Sequence, residues 1–152
     1  MPHFTTERRV RHSADDMFTL VADVERYPEF VPLCEKLIIR GRQVDGPREI
    51  LVADMTVAYK LIRETFTSRV TLERPTLAIR VDYLSGPFHH LENDWTFTAI
   101  GDRESIVRFA IEYEFRSRML SMLMGSVFDK AFRKFAEAFE KRADAVYGVP
   151  AA

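Results

Sequence analysis

From residue 50 to residue 115 the chain alternates apolar and polar side chains with period two. The clearest stretch is Ser105–Phe115, where one face reads Val107, Phe109, Ile111, Tyr113 and Phe115 and the other reads Arg108, Ala110, Glu112 and Glu114. The same alternation places Leu51, Ala53, Met55, Val57 and Tyr59 on one face, then Phe66, Ser68, Val70 and Leu72, then Leu77, Ile79, Val81 and Tyr83, then Trp95, Phe97 and Ala99. Period two puts each set on a single side of a strand. Turn signals separate these segments at Gly46-Pro47, Arg74-Pro75, Gly86-Pro87 and Gly101-Asp102, and Gly41 reads as a further turn. Strands are also expected near His3–Arg11 and over Lys36–Arg42, where the alternation is poorer.

Two segments follow a helical period instead. Ser13 is a predicted N-cap, with Asp15 and Asp16 in the first turn and Met17, Leu20 and Val21 at helical spacing. This short helix is expected to end before Tyr27-Pro28. In Ser117–Tyr147, residues Leu120, Met124, Val127, Phe128, Ala131, Phe132, Phe135, Ala138 and Phe139 fall on one stripe. Lysines, arginines and acids occupy the opposite side. Strands wet on one face need a cover on the other, and only this last helix is long enough. The predicted class is α+β: a short helix, about seven antiparallel strands and a long C-terminal helix laid across a curved sheet.

The inward faces carry almost no chemistry. They hold aliphatic and aromatic side chains and one serine, with no Asp, Glu, His, Lys or Arg. General acid–base catalysis needs a positioned titratable group, and only Tyr59, Tyr83 and Tyr113 offer one. No catalytic residue is expected. His89-His90 are adjacent, so in a strand they point to opposite faces, and two histidines alone do not complete a zinc site; they are read as surface turn residues. Asp15-Asp16 and Glu92-Asn93-Asp94 are read as helix-start and turn chemistry. No metal or cofactor is expected.

Composition narrows the function classes. The 152 residues suit one domain, expected over 1–148 with a tail at 149–152. Twelve Phe, five Tyr and one Trp exceed what a core needs, so some are expected to line a cavity. The net charge of -1 has no basic excess, and DNA is not expected as a partner. Cys34 is the only cysteine, so an internal disulfide cannot form. The N-terminus is charged and lacks an apolar core, and no run approaches the roughly 18 apolar residues of a spanning helix. A cytoplasmic location, with peripheral contact at the inner membrane, is expected.

Four blocks give the chain a family resemblance. They are Asp23-Val24…Tyr27-Pro28…Phe30-Val31-Pro32…Cys34, then Phe66-Thr67-Ser68-Arg69-Val70-Thr71, then Gly86-Pro87-Phe88…Leu91…Trp95…Phe97, and finally Phe139…Arg142-Ala143…Tyr147-Gly148. In this order they resemble the coenzyme Q-binding START-like family, a branch of the polyketide cyclase/dehydrase-like superfamily. The family has Trp before the signature cysteine, where this chain has Leu33. The resemblance implies a helix-grip fold with a tunnel between sheet and long helix. It implies a ubiquinone-like isoprenoid as ligand and a carrier or chaperone role supporting respiration. A ribosome-associating toxin branch of the same family makes the ribosome an alternative partner, and distant cyclase or dehydratase members supply a third reading.

The candidate ligand contacts are Phe30, Val31 and Leu33 on the proline-rich connector, Met55, Trp95, Phe97 and Phe109 on inward strand positions, and Leu120, Met124 and Phe128 on the helix. Met119, Met122 and Leu123 break the helical pattern by projecting from the polar side. Beside Gly125 they are expected to form a soft mouth to the tunnel and to touch a membrane.

Overall fold

A computed structural model describes residues 2–148. The expected tail at 149–152 lies outside the described residues. The strands are β1 (His3–Val10), β2 (Cys34–Asp45), β3 (Arg48–Tyr59), β4 (Ile62–Glu73), β5 (Ala78–Ser85), β6 (Phe88–Gly101) and β7 (Glu104–Phe115). They form one antiparallel sheet in the order β1-β7-β6-β5-β4-β3-β2. Each tight turn joins neighbours, and the first strand closes onto the last. The helices are α1 (Ala14–Ala22) and α2 (Arg118–Tyr147). The seven strands and the long final helix are those the periodicity predicts.

Differences arise where local structure interrupts a period. The second strand is longer than Lys36–Arg42, and Gly41 lies inside it. Register shifts between Cys34 and Lys36 and between Ile39 and Gly41 break its alternation. These are bulges on an edge strand, a common way of bending a free edge away from further pairing. The first helix stops at Ala22, and a 3-10 turn, Val24–Glu29, carries Tyr27-Pro28. The Tyr27 hydroxyl donates to the Val21 carbonyl and ties this turn back to the helix end. Both helix starts are capped by serine: Ser13 Oγ accepts from the Asp16 N–H at 3.0 Å, and Ser117 Oγ from the Leu120 N–H at 3.1 Å.

The core lies between the apolar sheet face and α2. Phe88 stacks on Phe115 with centroids 4.8 Å apart and meets Phe66 and Tyr83 edge-on. Trp95 lies edge-on to Phe109 at 4.8 Å and to Phe139 at 5.0 Å. Aromatic pairs in these geometries stabilise beyond their buried area by about 0.5–1.5 kcal/mol each. Cys34 is buried, and that burial pushes its thiol up to about 11, so it stays protonated and inert at neutral pH.

A polar seam fastens the far end of α2 to β1 and the residues that follow it. Arg8 Nε donates to Glu140 Oε1 at 2.7 Å, and buried His12 places Nε2 2.7 Å from Asp144 Oδ1. The His12 carbonyl accepts from buried Ser105 Oγ at 2.9 Å. The strand pattern signals none of these, because they link residues more than ninety positions apart.

Gly86 is the tightest turn position. Its φ is +140°, and an added Cβ would sit 2.6 Å from Phe66 Cβ and 2.9 Å from Phe66 Cα. Gly86→Ala is expected to destabilise the fold by roughly 2–3 kcal/mol. Gly41→Ala, with open space around it, is expected to stay within about 0.5 kcal/mol of wild type. Urea denaturation of both variants checks the contrast.

Candidate ligand-binding cavity

The apolar sheet face is wider than one helix, and its middle strands stand clear of α2. Between them lies a cavity of about 100 Å³. Alternate residues of β3 to β6 form its floor, among them Met55, Ser68, Val81, Asn93 and Trp95. Phe128, Ala131, Phe132, Phe135 and Phe139 of α2 form its roof. They follow one another at helical spacing, so a single face of the helix supplies all five. Val24, Tyr27, Pro32 and Leu33 of the proline-rich connector close one side.

Only four of the lining side chains carry a polar atom: Tyr27, Ser68, Asn93 and Trp95. Tyr27 is spent on the Val21 carbonyl. Burial drives its phenol far above the ordinary range, with the nearby Cys34 and Asp23 adding to the rise, so it stays neutral. Asn93 Nδ2 donates to the Ala110 carbonyl at 2.9 Å, while its Oδ1 accepts from Trp95 Nε1 at 3.0 Å. Ser68 Oγ is buried and has no hydrogen-bond partner among the described residues. The wall includes no carboxylate, imidazole, ammonium or guanidinium. Such a surface can hold a neutral apolar molecule but offers no group to move a proton at neutral pH.

The connector is clamped to the helix from outside. Phe30 meets Phe139 edge-on at 5.0 Å and lies beneath the Arg142 guanidinium at 5.1 Å. Arg142 Nη2 donates to Glu29 Oε1 at 2.7 Å. Hydrogen bonds from Arg142 and Arg26 hold the Glu29 carboxyl below the usual carboxylate range. Leu33 sits at φ +68°, a left-handed conformation unusual for leucine, with its side chain on the cavity wall.

Four of the ten candidate contacts lie on this wall: Leu33, Met55, Trp95 and Phe128. Six lie elsewhere. Phe30 is half-buried against Tyr27 and Phe139 but off the lining, and Val31 is buried in the core beside it. Phe97 packs edge-on against Phe18 of α1 at 5.8 Å. Phe109 packs among Phe4, Phe132 and Phe135. Met124 is buried and Leu120 half-buried nearer the helix start, outside the lining. Met119, Met122 and Leu123 are exposed, as their spacing predicts, but the helical part of the wall begins only at Phe128. Of the three inward tyrosines, none lines the cavity. The Tyr83 hydroxyl accepts from the Phe88 N–H at 3.0 Å.

Two assignments need correction. Glu92-Asn93-Asp94 is not a turn but the middle of β6, and Asn93 faces the cavity. Continuing the Trp95–Phe97 alternation backwards reaches Asn93 and Leu91, so the signal was present and the polar triplet masked it. His89-His90 also lies in β6, beside a register shift between Phe88 and His90. His90 Nε2 reaches within 3.6 Å of Glu112 Oε2 on the outer face. With Glu92 they form a group whose candidate ligand atoms lie within 4.8 Å of one another, away from the cavity.

Comparison with known proteins agrees with this architecture. The family model described as polyketide cyclase / dehydrase and lipid transport matches residues 10–140. The ribosome association toxin RatA of Vibrio cholerae is 34% identical over 139 residues, covering 91% of this chain and 93% of its own. The mitochondrial coenzyme Q-binding protein of Drosophila melanogaster is 29% identical over 139 residues, covering 90% of this chain and 56% of its own. The solution structure of an 18 kDa protein from Caulobacter crescentus is 33% identical, with a TM-score of 0.80 over 98% of this chain and 100% of that one. An aromatase/cyclase from a Streptomyces species shares the fold at 17% identity, with a TM-score of 0.79 over 94% of this chain and 93% of its own. A match across most of the length, on a seven-stranded sheet closed by one long helix, makes the chain a member of the polyketide cyclase / dehydrase and lipid transport family, with a START-like helix-grip fold.

Proposed function

We propose that the chain binds a neutral polyisoprenoid lipid of the ubiquinone type in this cavity, as a carrier or chaperone supporting respiration and without turning it over. The observation that carries the reading is the wall itself: nineteen of its twenty-three side chains are wholly apolar, and none is charged at neutral pH. Each buried methylene is worth about 0.8 kcal/mol, so one five-carbon isoprene unit contributes roughly 3–4 kcal/mol. The coenzyme Q-binding relative supports the ligand class. At about 100 Å³ the cavity is smaller than the roughly 300 Å³ at which ligand pockets begin. Binding therefore requires the wall to widen. Half-buried Leu37, Met55, Phe66 and Phe135 are the side chains best placed to yield.

Trp95 is the only tryptophan and lies on the wall, so its fluorescence reads the cavity directly. Added decylubiquinone is expected to quench it saturably. Organic extracts of gently purified protein should hold quinone above the level in a matched control. A clean extract together with unquenched fluorescence overturns the reading.

A second reading is favoured by the RatA relatives, which span nearly the whole chain. In it the protein acts on the ribosome through its outer surface. Sedimentation of a lysate through a sucrose gradient separates the two. The carrier reading expects the chain to stay at the top of the gradient, whereas co-migration with a ribosomal subunit supports the alternative.

No helix among the described residues is long and apolar enough to cross a membrane, so membrane contact would be peripheral. Met119 and Met122 are exposed beside Arg118, a pairing suited to an anionic bilayer. The double variant Met119→Glu, Met122→Glu is expected to lose most of its association with liposomes containing phosphatidylglycerol while keeping its thermal midpoint. Unchanged association would make these residues bystanders.

A further inference from the structure

The hydroxyl of Ser68 is the one polar group on the cavity wall left without a partner. Ser68 lies in the middle of β4, 5% exposed, and its Oγ is buried. In register its neighbours are Ala53 of β3 and Tyr83 of β5. Alanine has nothing to offer, and the Tyr83 hydroxyl is occupied by the Phe88 N–H. A hydroxyl buried in an apolar wall without a partner costs stability that an alanine at the same place would not. The hydroxyl is therefore free to donate to an acceptor that enters the cavity.

The chemistry of that acceptor can be read from the rest of the wall. Asn93 has its oxygen engaged by Trp95 and one N–H given to Ala110. Its amide nitrogen carries a second N–H that these bonds leave free. Asn93 pairs with Val81, Val81 pairs with Val70, and Ser68 precedes Val70 by two residues on the same strand. Both donors belong to the same floor, but two strand spacings and two residues, roughly 12 Å at the backbone, separate them. One acceptor atom therefore cannot meet both, and the unpartnered Ser68 hydroxyl is the donor that defines the ligand. No side chain of the wall could neutralise an anion, so the acceptor is neutral.

We infer that Ser68 is the polar anchor of the cavity, donating its hydroxyl to a carbonyl oxygen of a neutral apolar ligand. This rests on the lipid-binding reading above and adds to it the polar end of the ligand and its orientation. The carbonyl-bearing head is drawn onto the sheet floor beneath α2. The hydrocarbon tail, which needs no partner, takes up the remaining apolar surface.

The test compares wild type with Ser68→Ala on two probes that differ in the head alone, decylubiquinone and decylbenzene. Affinity for each is read from the ligand-induced rise in Tm. Removing the hydroxyl should raise the Tm of the ligand-free protein, because the orphan group is gone. It should also weaken decylubiquinone on the order of tenfold and leave decylbenzene within about twofold. Opposite signs for stability and affinity are what a purely structural serine would not produce. If the variant binds decylubiquinone as tightly as wild type, or if both probes weaken equally, the anchor is overturned and the lipid-binding reading stands. If wild type binds neither probe, both fall together.

Discussion

One helix cannot cover a seven-stranded sheet. Six strand spacings of about 4.8 Å make the sheet about 29 Å wide, whereas a helix with its side chains is roughly 10–12 Å across. The rest of the structure answers this mismatch. The sheet curves about α2, and α1 covers part of the face over β5 to β7. Large aromatic side chains fill much of the remaining gap: Phe88, Trp95 and Phe109 rise from the sheet, and Phe128, Phe132 and Phe139 descend from the helix. Filling stops short over the middle strands, and the cavity is what remains.

The connector closes one side of this void. Tyr27, Pro32 and Leu33 face inward, and Phe30 and Glu29 grip α2 from outside through Phe139 and Arg142. Each attachment is individually modest: an edge-on aromatic pair, a cation over a ring, and an ion pair whose Glu29 carboxylate is largely solvent-exposed. The Glu29 carboxyl is depressed by its arginine partners. Its share of the clamp is present above the ordinary carboxylate range and is lost as pH falls through the depressed value. The strained Leu33 backbone stands on the same side.

The same architecture serves an aromatase/cyclase at 17% identity, so the fold alone does not select a chemistry. The chemistry available to a bound molecule is set by the residues of the wall. Here Trp95 donates to Asn93, Asn93 donates to the Ala110 carbonyl, Tyr27 is tied to backbone, and the Ser68 hydroxyl is left over. That pattern suits holding a molecule by its apolar bulk and orienting it by one end.

Period-two alternation was enough to place β3 to β7, because a strand with one dry face must bury every second side chain. The helical stripe of α2 was legible for the same reason at its own period. Alternation also identified which strand faces point inward, among them Met55 and Trp95, and the helical stripe did the same for Phe128; all three line the cavity. It could not tell cavity from core. Phe97 and Phe109 share the inward face with Trp95, yet one is covered by α1 and the other packs against the side chains of β1 and α2. What packs over each side chain, not periodicity, separates them. The edge strand β2 was obscured by bulges, and Asn93 by the polar residues on either side of it. The pairs His12–Asp144 and Arg142–Glu29 link residues more than a hundred positions apart. Local patterns in a chain record which side of an element is dry, whereas only the assembled layers decide which dry positions meet each other and which meet empty space.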